Sequence, residues 1–138
     1  MGTLHQSAAS IGFYGDDLNP EELTEAFAIE PSVGVRAGEP WRTAKGAEKI
    51  ARRGSWRIRA ERREPGDLDT QINELLDRMS NDFQAWRQFS ERYRGRIFCG
   101  LFMASGNEGV TLRSKTLGRL AERGLLIDFD IYAPDGEE

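Results

Sequence analysis

The stretch Ala8-Ala9-Ser10-Ile11-Gly12-Phe13-Tyr14-Gly15-Asp16-Asp17-Leu18-Asn19-Pro20-Glu21-Glu22-Leu23 decides the fold. Ile11 and Phe13 alternate with small or polar neighbours, which predicts a strand over Ala8–Tyr14 with one buried face. Gly15-Asp16-Asp17 reads as a turn. Asn19 then suits a helix N-cap, Pro20 the first helical position and Glu22 the third residue of a capping box. Glu21 and Glu22 also suit the positive end of a helix. Leu23, Ala26 and Phe27 form its apolar stripe, and Pro31 stops it. One strand feeding one capped helix already points to a fold that mixes both.

Farther along, Val33 and Val35 predict a short strand over Ser32–Ala37, broken by Gly38-Glu39-Pro40. Thr43–Arg53 has little apolar periodicity and reads as a surface loop. Ser55–Arg62 alternates, with Trp56, Ile58 and Ala60 on one face and Arg57, Arg59 and Glu61 on the other. That is the pattern of a half-buried, antiparallel strand. After the breaker Pro65-Gly66, Asp67 can cap a helix. Leu68, Ile72, Leu75, Leu76, Met79, Phe83, Trp86 and Tyr93 follow helical spacing. Ser80-Asn81-Asp82 interrupts them, and Asn81 with Gln84 resembles a capping box, so the spacing predicts a kink or two helices meeting there. Gly95 closes this segment.

Arg96–Ala104 is nearly continuous apolar sequence, as in a central strand covered on more than one side. Ser105–Gly109 is a turn and Val110–Leu112 a brief strand. Ser114 can cap a helix bearing Leu117, Leu120 and Ala121, with Gly124 beyond its end. Leu125–Tyr132 alternates again, placing Asp128 and Asp130 on its polar face. Ala133–Glu138 is expected to fray. The order is β-α-β-β-α-β followed by β-α-β. It predicts a single α+β domain over residues 1–138: a ferredoxin-like sandwich, mostly antiparallel, with helices on one face and a C-terminal β-α-β extension.

Composition narrows the function. The chain has 138 residues, 38% hydrophobic, and a net charge of −4. No apolar run reaches the ~20 residues of a membrane span, and Met1–Ser10 lacks the features of a signal peptide. The single cysteine, Cys99, excludes an internal disulfide, and a cytoplasmic location is expected. The acidic average argues against nucleic acid as the partner. Charge is segregated, however: Trp41–Arg63 carries +7 and Leu125–Glu138 carries −5.

The candidate sites follow from this distribution. Trp41, Arg52, Arg53, Arg57 and Arg59 combine an aromatic with cations, the residue types enriched at protein interfaces. The same types also suit weak RNA binding through residues 52–59, although no RNP1-like pattern is present. Asp16 and Asp17, joined by Asp128 and Asp130 if the last strand lies beside the first, would gather four carboxylates suited to Mg²⁺ or Ca²⁺. His5, the only histidine, lies in a stretch read as a mobile N-terminus and outside any catalytic pattern. Cys99, inside an apolar strand, reads as buried and inert. The sequence thus favours a non-enzymatic protein-binding module without a cofactor. A divalent-metal or small-ligand protein and a weak RNA binder are the alternatives. The edge strand near 32–37 could also support self-association.

Four stretches together resemble a known family. They are Gly15-Asp16-Asp17-Leu18-Asn19-Pro20-Glu21-Glu22-Leu23, Gly54-Ser55-Trp56, Phe98-Cys99-Gly100-Leu101-Phe102 and Leu126-Ile127-Asp128-Phe129-Asp130-Ile131-Tyr132. In order and spacing they are similar to the bacterial family of unknown function DUF4279, over about residues 8–133. Asn107-Glu108-Gly109 departs from the more glycine-rich turn expected there. The resemblance implies a bacterial, intracellular, single-domain α+β protein and brings no catalytic residue with it. Its size and fold class also suit an immunity-like role.

Overall fold

A computed structural model describes residues 2–135; residues 136–138 of the expected fraying tail lie outside the described residues. β1 (Gly2–Thr3) is followed by β2 (Gln6–Gly15), the long central strand. In β2 the side chains of Ser7, Ala9, Ile11 and Phe13 are buried, as period-two alternation requires. α1 (Pro20–Phe27) starts as expected, with the Asn19 side chain accepting from the Glu21 N–H. It ends earlier than the Pro31 stop. Ala28 turns into the left-handed region at φ 59° and donates its N–H to Thr24, and the Phe27 carbonyl accepts from Ser80.

β3 (Val33–Val35) is a three-residue edge strand. The expected surface loop after it is a hairpin, β4 (Pro40–Arg42) paired with β5 (Glu48–Ile50). Backbone bonds close it, Thr43 with Ala47 and Glu39 with Ala51. Its strands are almost wholly exposed, so no apolar alternation marks them. β6 (Gly54–Arg59) buries Trp56 and Ile58. The long periodic segment is two helices, α2 (Leu68–Asp77) and α3 (Phe83–Tyr93). Asp67 caps the first. The second is capped by Asp82, whose carboxylate accepts from Ala85, and not by Asn81. β7 (Arg96–Phe102), β8 (Glu108–Gly109), α4 (Ser114–Glu122) and β9 (Leu126–Tyr132) complete the chain. Arg113 stands at the N-cap of α4 without a side-chain cap, so Ser114 lies inside the helix. The brief strand expected at Val110–Leu112 falls instead at β8.

The architecture is α+β. A five-stranded sheet runs in the order β3-β6-β2-β7-β9; β7 and β9 are parallel and every other pair is antiparallel. The helices gather on the face that carries Phe13. Phe27 of α1 and Trp86 of α3 pack on Phe13 with ring centroids 5.4 and 6.1 Å away. α2 is tied to β2 through Gln71 and Ser7, and α4 to α2 through Asn73 and Thr116. Trp56 is fully buried and donates its indole N–H to Thr24 at 3.0 Å, so a polar handle accompanies its large apolar area. The stretch from Gly2 to His5 is held, contrary to the expectation of mobility. β1 pairs in parallel with β8, Leu4 is buried, and its N–H donates to Gly109. No helix among the described residues is long and apolar enough to cross a membrane.

Candidate functional site

The helices cover one face of the sheet and leave the other open. Strand register decides what stands there. Arg57, Gly12, Arg96 and Leu126 form one row across four strands, and Arg59, Ser10, Phe98 and Asp128 the next. Ala8, Gly100 and Asp130 align beyond them, followed by Gln6, Phe102 and Tyr132. The open face therefore interleaves arginines with aromatic rings.

Glycines make room for the rings. A Cβ at Gly12 would stand 2.5 Å from the Tyr14 hydroxyl, so Tyr14 lies across its own strand only because residue 12 has no side chain. A Cβ at Gly100 would meet the Phe102 ring at 3.2 Å. Arginines then cap these rings. Arg96 sits 5.1 Å from the Tyr14 centroid and 4.9 Å from that of Phe98, and Arg53 sits 5.7 Å from Tyr14. Arg62 lies 3.8 Å above Phe102, which is itself stacked on Tyr132 at 4.8 Å. Arg57 is 5.9 Å from Trp41. Each contact is a cation–π arrangement in which the guanidinium meets the negative face of the ring.

Arg96 is the most constrained member. It donates to Asp128 at 2.8 Å, and its Nε is buried without a partner among the described residues. Desolvation works against its charge, but the hydrogen bonds with Asp128 and Tyr14 outweigh it and hold the guanidinium above its ordinary value. The Nε of Arg57 is likewise buried and unpartnered. Around these two stand Arg53, Arg59 and Arg62, and these arginines outnumber the nearby acids Asp128, Asp130 and Glu64, which accepts from Gln6 at 2.8 Å.

The structure brings together most of the interface residues expected from sequence. Trp41 reaches the face from the β4–β5 hairpin, Arg57 and Arg59 belong to β6, and Arg53 joins them over Tyr14. Arg52 is exposed and forms none of these contacts. Tyr14, Arg62, Arg96, Phe98, Phe102 and Tyr132 were not expected at the site. Their signal is the pairing of Gly12 with Tyr14 and of Gly100 with Phe102. The apolar run of β7 was expected to be covered on more than one side; its second face is covered by its own rings and the arginines upon them.

The four carboxylates do not meet. β7 lies between β2 and β9, so the last strand is not beside the first long strand. Asp17 approaches Arg92 at 3.6 Å, Asp128 holds Arg96, and Asp130 accepts from the Tyr132 hydroxyl at 2.6 Å. Among the described residues no cluster of three or more His, Cys, Asp or Glu side chains is arranged to hold a metal ion. Cys99 is fully buried, and burial, with Asp128 nearby, pushes its thiol up to about 12, far from the reactive thiolate range. His5 gives its backbone N–H to Glu108. Glu108 is the hub of the divergent turn. Burial raises its carboxyl, but donation from His5, Ala104 and Ser105 outweighs this and holds it below the usual carboxylate range.

No curated protein and no solved structure matches the chain. The family model described as a domain of unknown function, DUF4279, matches residues 5–134. With that match over nearly its whole length, and with all four stretches quoted above inside it, the chain belongs to the DUF4279 family.

Proposed function

We propose that this chain is a non-enzymatic, immunity-like protein-binding module of the bacterial cytoplasm, and that the open face of its sheet receives a protein surface rich in carboxylates. The observation that carries the reading is the row of arginines seated on rings, Arg57 with Trp41 and Arg96 between Tyr14 and Phe98. Arginine and large aromatics dominate binding energy at protein interfaces. Guanidiniums already fixed by stacking lose less side-chain entropy on binding. In fold terms we read the first four strands of the main sheet, in the order β3-β6-β2-β7, as a ferredoxin-like unit, with α4 and β9 as a C-terminal β-α-β extension.

A second reading has a specific observation in its favour. Tyr14 and Phe98 stand on adjacent central strands of an uncovered sheet, a placement suited to base stacking in single-stranded RNA. One experiment separates the two. Tagged wild-type protein and the R57E/R59E variant are purified from bacterial cells under gentle salt, with native mass spectrometry and absorbance at 260 nm as readouts. A stoichiometric protein companion, lost or weakened at least about tenfold in the variant, supports the protein reading. Co-purified nucleic acid with steeply salt-dependent binding supports the RNA reading. A companion held equally well by both forms refutes the role of this face.

A further inference from the structure

The other outstanding surface is the free edge of β9. The Leu126 N–H donates to Gly95, and the Tyr132 carbonyl accepts from Met103, so the even-numbered peptide groups of β9 turn toward β7 and its continuation. Peptide groups alternate in direction along a strand. The N–H and C=O groups of Ile127, Phe129 and Ile131 therefore point outward, where no strand among the described residues follows β9 in the sheet. The strand is seven residues long and carries exposed Leu126, Phe129, Ile131 and Tyr132; Ile131 is 61% exposed. A long, apolar, unpaired edge is a template for another strand.

Charge selects the occupant. Asp128 and Asp130 stand on the open-face side of this edge, while Phe129 and Ile131 stand on the helix side. A second copy that shared the whole strand in antiparallel register would centre Phe129 on Phe129 and set Asp128 against Asp130 of its mate. Arg96 offsets part of the Asp128 charge, but Asp130 has no ion pair among the described residues, so like charge still opposes that pairing. We propose that the β9 edge binds an extended segment of a partner protein in which apolar and basic residues alternate. Its backbone completes the outward hydrogen bonds. Its apolar residues lie beside Phe129 and Ile131, and its Lys or Arg residues lie beside Asp128 and Asp130. Asp128 also accepts from Arg96 of the arginine face, so Asp130, which accepts from the Tyr132 hydroxyl, carries the selection for a basic partner at this edge.

The test is fluorescence anisotropy with two labelled, end-capped nonapeptides, one alternating Lys and Val and the other Glu and Val. The chain is used as wild type, I131P and D130K. Ile131→Pro removes an outward donor without touching the ladder to β7, and a proline is tolerated on an edge strand. Circular dichroism verifies the fold of both variants. The Lys–Val peptide is expected to bind wild type, to weaken roughly tenfold in each variant, and to lose its advantage over Glu–Val in D130K. Equal affinity for both peptides, binding undiminished in folded I131P, or no binding up to millimolar peptide would overturn the proposal. So would a wild-type dimer in sedimentation that I131P dissolves, since a second copy would then cover the edge.

Discussion

Replacing Gln71 by leucine tests the polar knot that ties α2 to the central strand. Gln71 is fully buried in a helix face otherwise made of Leu68, Ile72, Leu75 and Leu76. Its amide nitrogen donates to the Ser7 carbonyl at 3.0 Å and to the Glu61 carbonyl at 2.8 Å, and its oxygen accepts from the Ser7 hydroxyl. Leucine matches the volume and removes all three bonds. The losses are unequal. The Ser7 carbonyl keeps the Arg63 N–H at 2.9 Å, and the carbonyl of exposed Glu61 can be rehydrated. The Ser7 hydroxyl still accepts from Asp67 but is left as a buried donor without an acceptor. A buried unsatisfied group costs about 1–3 kcal/mol, and a displaced bond about 1 kcal/mol, so Q71L should lose roughly 2–3 kcal/mol. At this chain length that corresponds to roughly 6–12 °C in Tm. The assay is urea and thermal unfolding of wild type, Q71L, S7A and the double variant. Because Ser7→Ala removes the orphaned donor, the double variant should be less destabilised than the sum of the singles by about 1 kcal/mol or more. A stability of Q71L within about 0.5 kcal/mol of wild type, together with strict additivity, would refute the reasoning.

Two other expectations follow from backbone and charge. Ala at position 54 would place its Cβ 2.9 Å from both the Gly15 carbonyl oxygen and the Leu18 Cβ, and 3.0 Å from the Leu18 carbonyl oxygen. Backbone cannot step aside cheaply, so G54A should cost roughly 1–3 kcal/mol by thermal unfolding. G106A, with open space around it, should stay within about 0.5 kcal/mol of wild type; equal effects would contradict the packing argument. The Glu108 carboxyl is held below its unfolded value, so its contribution to stability is full above about pH 4.5 and disappears as pH falls through the lower folded value. The Tm difference between wild type and E108Q, measured from pH 7 to pH 3, should shrink over that acid range. A difference that stays constant or grows would count against the charged hub.

Much of the helical layer was legible because its signals are local. The caps at Asn19 and Asp67, the interruption at 80–82 and the left-handed Gly124 at φ 71° all arise from residues within a turn of one another. Trp56 and Trp86 were legible as core because each continues an apolar period. The β4–β5 hairpin was not. Its strands bury nothing and rest on backbone bonds, to which side-chain patterning is blind. The tether at Gly2–Thr3 escaped for the same reason: two small residues pair with a strand more than a hundred positions away. Gln71 could have been noticed as the one polar residue on an apolar stripe.

Outside β1 and the β4–β5 hairpin, the amino-acid order alone determined which main segments extend, which coil, and which face of each is apolar, since the partners in those choices are one to four residues apart. The tertiary structure decided which strand lies beside which. By inserting β7 between β2 and β9 it separated the two aspartate pairs, and the same pairing gathered Tyr14, Arg57, Arg96 and Phe98 onto one surface. Long-range register sets these neighbours, through pairing of residues 39 to 96 positions apart and the burial of a shared core, which no local periodicity encodes.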